Sequence, residues 1–145
     1  MEENLISVPP DFKLYKDRAI YVGTFLGGPL VAGYLIAENF KKLDQPDKAR
    51  NAWIISIVTT VVIIGAAFLI PNFEKIPRYI IPILYALLAQ TLVQKFQGEA
   101  IKSHIEKGGA VYSVWRGVWI GLVVGVILIA AIVAIVLLTS NSLTF

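Results

Sequence analysis

A run of 29 uncharged residues from Gly117 to Phe145 constrains this chain more than any other feature of its sequence. A helix that crosses a bilayer needs about 20 consecutive apolar residues, and the part of this run up to Leu138 is almost wholly aliphatic. The chain is 57% hydrophobic and 16% charged, whereas globular proteins carry roughly 25% charged residues. A chain of this length cannot bury such an apolar excess in a soluble core. We therefore predict a membrane protein with a transmembrane helix over residues 117–139.

Three further runs of uncharged residues cover positions 19–37, 52–70 and 79–94. They predict additional membrane segments at residues 19–38, 52–70 and 77–95. The third is short for a bilayer, and Arg78 and Lys95 at its ends can extend it by reaching the headgroups. The predicted fold class is all-α, a polytopic membrane protein with a four-helix transmembrane bundle. Residues 1–18 are predicted to form a polar tail without a cleavable signal peptide, because they contain no apolar stretch. Residues 19–145 are predicted to form one transmembrane domain.

The first predicted segment carries Gly27, Gly28 and Pro29 at its centre, and these residue types weaken a helix most. Three structures are compatible with this break. The segment can be one kinked span, which we take as the prediction, or two re-entrant half-helices. It can also be an opened turn that exposes backbone groups to a ligand, as in discontinuous transporter helices. In each case the triplet is the candidate hinge or ligand site.

A glycine repeat marks the last predicted helix, where Gly117, Gly121 and Gly125 recur every four residues. This spacing places small residues on one ridge, so that another helix backbone can approach closely. Gly23 and Gly27 have the same spacing in the first segment and form a natural partner. The sequence leaves open whether this ridge packs within one chain or against another copy.

The basic residues predict the orientation, because cytoplasmic loops are enriched in Lys and Arg. Loops 39–52 and 95–116 are predicted to be cytosolic and the C-terminus to be outside. If segment one spans the bilayer, eight basic residues lie on the cytosolic side and five outside. If it folds back, the tail joins the cytosolic side, and the counts become eleven and two. The predicted interface anchors are Trp53, Trp115, Arg116 and Trp119.

Several kinds of chemistry are not expected from this composition. The chain has no cysteine, and its single histidine, His104, does not share a helix face with both Glu99 and Glu106. We therefore predict no metal site and no cofactor. No serine has the acid and base partners that hydrolysis requires, so we predict that the protein is not an enzyme. The basic residues lie in the tail and loops, which suits anionic headgroups and not nucleic acid.

The stretch GTFLGGPLVAGYLIAENFKKLDQPDKARNAW resembles a group of small, uncharacterised bacterial integral membrane proteins. These proteins share an FLGGPLxxGYL-type motif followed by a basic loop. The resemblance covers about residues 23–52, and it is weaker in YSVWRGVWIGL. It implies a location in the bacterial cytoplasmic (inner) membrane and carries no activity.

Two functions are compatible with these features. The first is a non-enzymatic membrane protein that acts through helix packing, as an accessory subunit or a homo-oligomer. The alternative is a minimal oligomeric transporter or channel that uses the broken first helix as its site. The expected partners are the lipid bilayer and either further copies of the chain or a larger membrane complex.

Overall fold

The computed structural model describes residues 8–142 and confirms the all-α prediction. The elements in chain order are β1 Lys13–Leu14, α1 Asp17–Gly27, α2 Pro29–Lys42, α3 Pro46–Leu69, a 3-10 turn at Phe73–Lys75, α4 Ile80–Glu106, β2 Ala110–Val111 and α5 Val114–Ser142. Within the described residues, α3 and α5 are long and apolar enough to cross a membrane, with mean hydropathies of 2.4 and 3.3.

The helix boundaries follow from local sequence. Proline occupies the first position of both α2 and α3, where its missing N–H costs no hydrogen bond. Asp47 adds a negative charge at the electropositive start of α3. After α4, Gly108 has a φ of +80°, a conformation that glycine adopts without steric cost.

The chain reverses direction between α1 and α2. The Tyr15 backbone N–H donates to Asn39 Oδ1 at 2.7 Å, and Asn39 Nδ2 donates to the Tyr15 carbonyl at 2.8 Å. These residues are 24 positions apart, and one continuous helix would separate them by about 36 Å. The turn lies at Gly28, whose φ is +82°. The prediction of one kinked span is therefore wrong, and α1 and α2 form a helical hairpin.

This hairpin is the centre of the fold. The helix α3 packs on α2, whereas α4 and α5 pack mainly on α1. Across residues 8–142, α3, α4 and α5 make no extensive contact with one another. The described helices form a two-helix hairpin with three longer helices around it, and the predicted four-helix transmembrane bundle is not confirmed. The buried residues of the main core are Leu14, Tyr15, Ala19, Ile20, Val31, Ala32, Leu35, Ala89, Val93 and Ile101.

The segment before α1 belongs to the core, although residues 1–18 were predicted to form a polar tail. The strand β1 pairs in parallel with β2, with Lys13 opposite Ala110. The Tyr112 N–H continues this pairing by donating to the Leu14 carbonyl at 2.9 Å. Leu14 and Tyr15 are buried, because this short pair holds them against the hairpin. Residues 1–7 of the predicted tail and residues 143–145 lie outside the described part of the chain.

Candidate functional site

The glycine repeat of α5 lies against α1, and we call this contact the glycine seam. A methyl group added at Gly117 would lie 2.5 Å from the Ala19 carbonyl oxygen. One added at Gly121 would lie 2.5 Å from the Gly23 carbonyl oxygen, and one at Gly125 would lie 2.8 Å from that of Leu26. Real Cβ atoms do not approach oxygens this closely, so only glycine fits at Gly117 and Gly121. The matching order of contacts shows that α1 and α5 run parallel.

The α1 side of the seam is formed by the other two predicted packing residues. A methyl group at Gly23 would lie 2.9 Å from the Gly117 carbonyl oxygen, and one at Gly27 would lie 2.9 Å from Gly121 Cα. The structure therefore brings all five glycines together inside one chain. Because the ridge is covered by α1, it is not free to pack on another copy.

The three residues of the predicted hinge site lie at the tip of the hairpin in three different environments. Gly27 belongs to the seam, and Pro29 begins α2. A methyl group at Gly28 would meet no described atom within 4 Å, so the turn itself faces open space. The Gly28 N–H donates to the Thr24 carbonyl at 2.8 Å and ends α1. The Thr24 hydroxyl is buried one turn below the tip without a hydrogen-bond partner among residues 8–142.

Buried amides form a polar cluster at the base of the hairpin. Asn39 Nδ2 donates to Gln97 Oε1 at 3.0 Å, and Gln97 Nε2 donates to the Ile36 carbonyl at 3.0 Å. Both side chains are 1% exposed. With the bonds from Asn39 to Tyr15, this cluster joins the start of α1, the end of α2 and the middle of α4. Buried amides without such bonds would be strongly unfavourable.

Tyr15 also connects the base to α5 through a group that we call the Tyr–Arg cluster, formed by Lys13, Tyr15, Tyr112 and Arg116. Arg116 Nε donates to the Tyr15 hydroxyl at 2.9 Å. The Tyr15 and Tyr112 rings stack with centroids 4.4 Å apart. Arg116 Cζ lies 4.4 Å from the Tyr112 centroid, and Lys13 Nζ lies 6.0 Å from it. The cluster thus gathers two cations around one aromatic ring.

The hydrogen bond in this cluster changes the acid–base properties of both partners. Burial raises the pKa of the Tyr15 hydroxyl, and the bond from Arg116 opposes that rise. The bond to Tyr15 raises the pKa of Arg116. Both groups therefore keep their protons across the physiological pH range, and the guanidinium is a fixed positive charge.

Two of the three predicted tryptophan anchors, Trp53 and Trp119, line an apolar groove beside the hairpin, whereas Trp115 does not. Trp115 and Trp119 are 71% and 66% exposed on α5. Trp53 of α3 meets Tyr34 of α2 edge to face, with ring centroids 6.2 Å apart. The groove has a volume of about 460 Å³ and is lined by Leu30, Tyr34, Trp53, Trp119, Ile120, Val123 and Val124.

Asp17 at the start of α1 binds α4. Gln94 Nε2 donates to Asp17 Oδ2 at 2.9 Å, and Gln90 Nε2 lies 3.4 Å from the same oxygen. The bond from Gln94 is the main reason that the pKa of Asp17 is lowered, and the bond from Gln90 adds to it. The two glutamines therefore fasten α4 to the first turn of α1.

His104 has a structural role in the described fold. Its Nε2 lies 2.7 Å from the Ala110 carbonyl oxygen, and its ring stacks on Phe12 at 4.8 Å. Within residues 8–142, no three His, Cys, Asp or Glu side chains gather where they could hold a metal ion. His104 thus supports the turn that places β2 beside β1.

Sequence patterns identified the packing glycines but not Tyr15, Gln97 or Tyr112. The role of Trp53, Trp115, Arg116 and Trp119 as interface anchors stays a prediction. Tyr15 lies in the presumed tail, and Gln97 follows the third predicted segment. The sequence signal that could have indicated Gln97 was the group of amide side chains in α4, near the charged end of the third predicted segment. Comparison with family models, curated proteins and solved structures finds no match for this chain. The resemblance to the bacterial membrane proteins stays a prediction.

Proposed function

We propose that this chain is a non-enzymatic integral membrane protein that acts as a subunit of a membrane assembly, through the packing of its transmembrane helices. The observation that carries the proposal is the contrast between a tightly packed hairpin and two long apolar helices that extend past it. Residues 126–142 of α5 continue beyond the seam, and residues 61–69 of α3 extend in the same way. None of these residues is buried in the chain.

The exposed surface of these extensions is broad and apolar. Ile129, Val133 and Ile135 on α5 are all exposed, as are Val61 and Phe68 on α3. Exposed apolar patches of this extent mark membrane or protein contact surfaces. The glycine ridge is already used inside the chain, so an assembly would be built on these extensions.

The proposed topology follows from the fold-back at Gly28. With α1 and α2 as a re-entrant hairpin, the segment before α1 joins loops 39–52 and 95–116 on one side. Eleven of the thirteen Lys and Arg residues then lie on that side, which the positive-inside rule assigns to the cytosol. In this topology α3, α4 and α5 are the three spans, and the C-terminus is outside. We place the protein in the bacterial cytoplasmic membrane on the resemblance of residues 23–52.

Photo-crosslinking in native membranes tests the proposed assembly. A photoreactive residue is placed at Val133 on the exposed part of α5, with a matched control at Glu99 on the exposed part of α4. We expect Val133 to form adducts with protein, either a second copy or another chain, and Glu99 to form none. A chain that gives only lipid adducts at Val133 and purifies as a monomer in mild detergent would contradict the proposal.

A transporter or channel is a second candidate, favoured by the open space around Gly28 at the hairpin tip. In this alternative α2 begins inside the bilayer and directs its positive dipole end at an anion. Ion flux through reconstituted liposomes distinguishes the two functions. A wild-type flux that is lost in Gly28→Leu, with assembly intact, would support transport. The absence of flux in the wild type would exclude it.

A further inference from the structure

The Tyr–Arg cluster and the apolar groove are adjacent along α5. Arg116 precedes Ile120 by four positions, so the two side chains lie on the same face about one turn apart. Ile120 lines the groove together with Trp119 and Val123. The positive charge of Arg116 therefore lies at one end of the apolar groove.

Arg116 is held in place but is not neutralised. Its Nε–H is used by the Tyr15 hydroxyl, and its guanidinium packs on Tyr112. In the described part of the chain the ion pairs are Lys41–Glu38 and Arg50–Asp47, neither of which involves the cluster. The planar guanidinium is well suited to bind a phosphate through its remaining N–H groups.

We propose that this site binds one anionic phospholipid, with the headgroup phosphate on Arg116 and Lys13 and an acyl chain in the groove. The site rests on the membrane location proposed above, but it does not require any protein partner. Charge complementarity selects the occupant. An apolar helix from a second copy would fill the groove and leave the cations unpaired, whereas a phospholipid satisfies both. Trp53 and Trp119 have the amphipathic rings that are enriched at the level of lipid headgroups.

Native mass spectrometry of the full chain in mild detergent tests this site. The protein is titrated with dioleoyl phosphatidylglycerol and, separately, with dioleoyl phosphatidylcholine. We expect the anionic lipid to bind more tightly, and Arg116→Gln to weaken its binding about tenfold, which corresponds to about 1.4 kcal/mol. Arg78→Gln is the matched control, because it removes the same charge from the loop between α3 and α4 and should leave the affinity unchanged. Equal binding of the two lipids would overturn the proposal.

Two further variants keep the test decisive if Arg116→Gln does not fold. Lys13→Gln removes the second cation without touching the Tyr15 bond, and we expect a smaller loss of affinity for phosphatidylglycerol. Val123→Trp fills the groove from an exposed position, and we expect it to weaken binding of the lipid. If neither variant changes lipid binding, the proposed site is wrong.

Two alternative occupants give different results. If inorganic phosphate displaces the lipid completely and Val123→Trp has no effect, the cations bind a free anion and the acyl-chain assignment is wrong. Because the chain has no cysteine, Trp119→Cys reports on a second copy. An efficient disulfide-linked dimer in native membranes would place protein in the groove and overturn the proposal. Its absence, with lipid binding retained, supports the site independently of any assembly.

Discussion

The two parts of α5 are built differently although they belong to one helix. Between Gly117 and Gly125 every fourth residue is glycine, and the α1 backbone lies directly against it. From residue 126 to residue 142 there is no glycine, and the side chains are mainly Val, Ile, Leu and Ala. None of the residues in this second part is buried.

In the proposed membrane location, this difference indicates which residues would hold the helices together in lipid. Lipid chains are as apolar as leucine, so apolar side chains alone do not drive helices together. Small residues allow backbones to approach and gain many van der Waals contacts. The part of α5 with glycines therefore has a protein neighbour, whereas the bulky part is compatible with lipid. Four variants test how sharply these regions differ.

The largest effect is expected from Gly121→Leu in the glycine seam. Its Cβ would lie 2.5 Å from the Gly23 carbonyl oxygen, so α1 and α5 must separate. We expect a loss of about 3 kcal/mol, the upper end for overpacking, measured by thermal unfolding in detergent. Gly65→Leu is the matched control, because a methyl group there meets no described atom within 4 Å. Equal effects of the two variants would show that the seam is not the main contact.

The next largest effect is expected at the base of the hairpin, from Asn39→Ala. This change leaves the backbone N–H of Tyr15 without its 2.7 Å acceptor and Gln97 without one partner. A buried group that loses its hydrogen bond costs about 1–3 kcal/mol, and we expect about 2 kcal/mol here. Asn51→Ala on the exposed start of α3 is the control and should be nearly neutral. A neutral Asn39→Ala would mean that the buried amides do not hold the hairpin together.

A smaller, pH-dependent effect is expected at Asp17. Its pKa is lowered from 3.8 by the bond from Gln94, so the folded state binds fewer protons than the unfolded state. The stabilisation is present above about pH 4 and is lost as the pH falls through the lowered pKa. We expect about 1 kcal/mol, since Asp17 is only partly buried. Thermal unfolding of Asp17→Asn should lose this pH dependence, and an unchanged profile would assign it to another group.

The smallest effect is expected in the second part of α5, from Val133→Ala. Val133 is 50% exposed, and lipid or detergent replaces the contacts that its side chain loses. We expect the stability of the protein in detergent to change by less than about 0.5 kcal/mol. A much larger loss of stability in native membranes than in detergent would locate a protein contact at this position. That result would support the proposed assembly.

Helical content and the position of the break were predictable because they depend on local sequence. Uncharged runs predict α3 and α5, and Pro46 with Asp47 predicts where α3 begins. The direction of the chain after Gly28 depends on bonds between Asn39 and Tyr15, which local pattern does not contain. The distribution of Lys and Arg was one signal for a fold-back, because eleven of the thirteen lie on one side if the first segment forms a hairpin. The groove and the Tyr–Arg cluster require residues from β1, α2, α3 and α5 together.

The parallel pairing of α1 with α5 has a consequence for how the protein is made. Tyr15 and Arg116 are bonded across 101 positions, so the ribosome synthesises the hairpin long before its partner helix exists. In the proposed membrane location, the glycine face of α1 would be covered by lipid or by the insertion machinery during that interval. The last described helix therefore completes the fold, and a nascent chain arrested after α4 would present an unpaired glycine face to any factor that monitors membrane protein assembly.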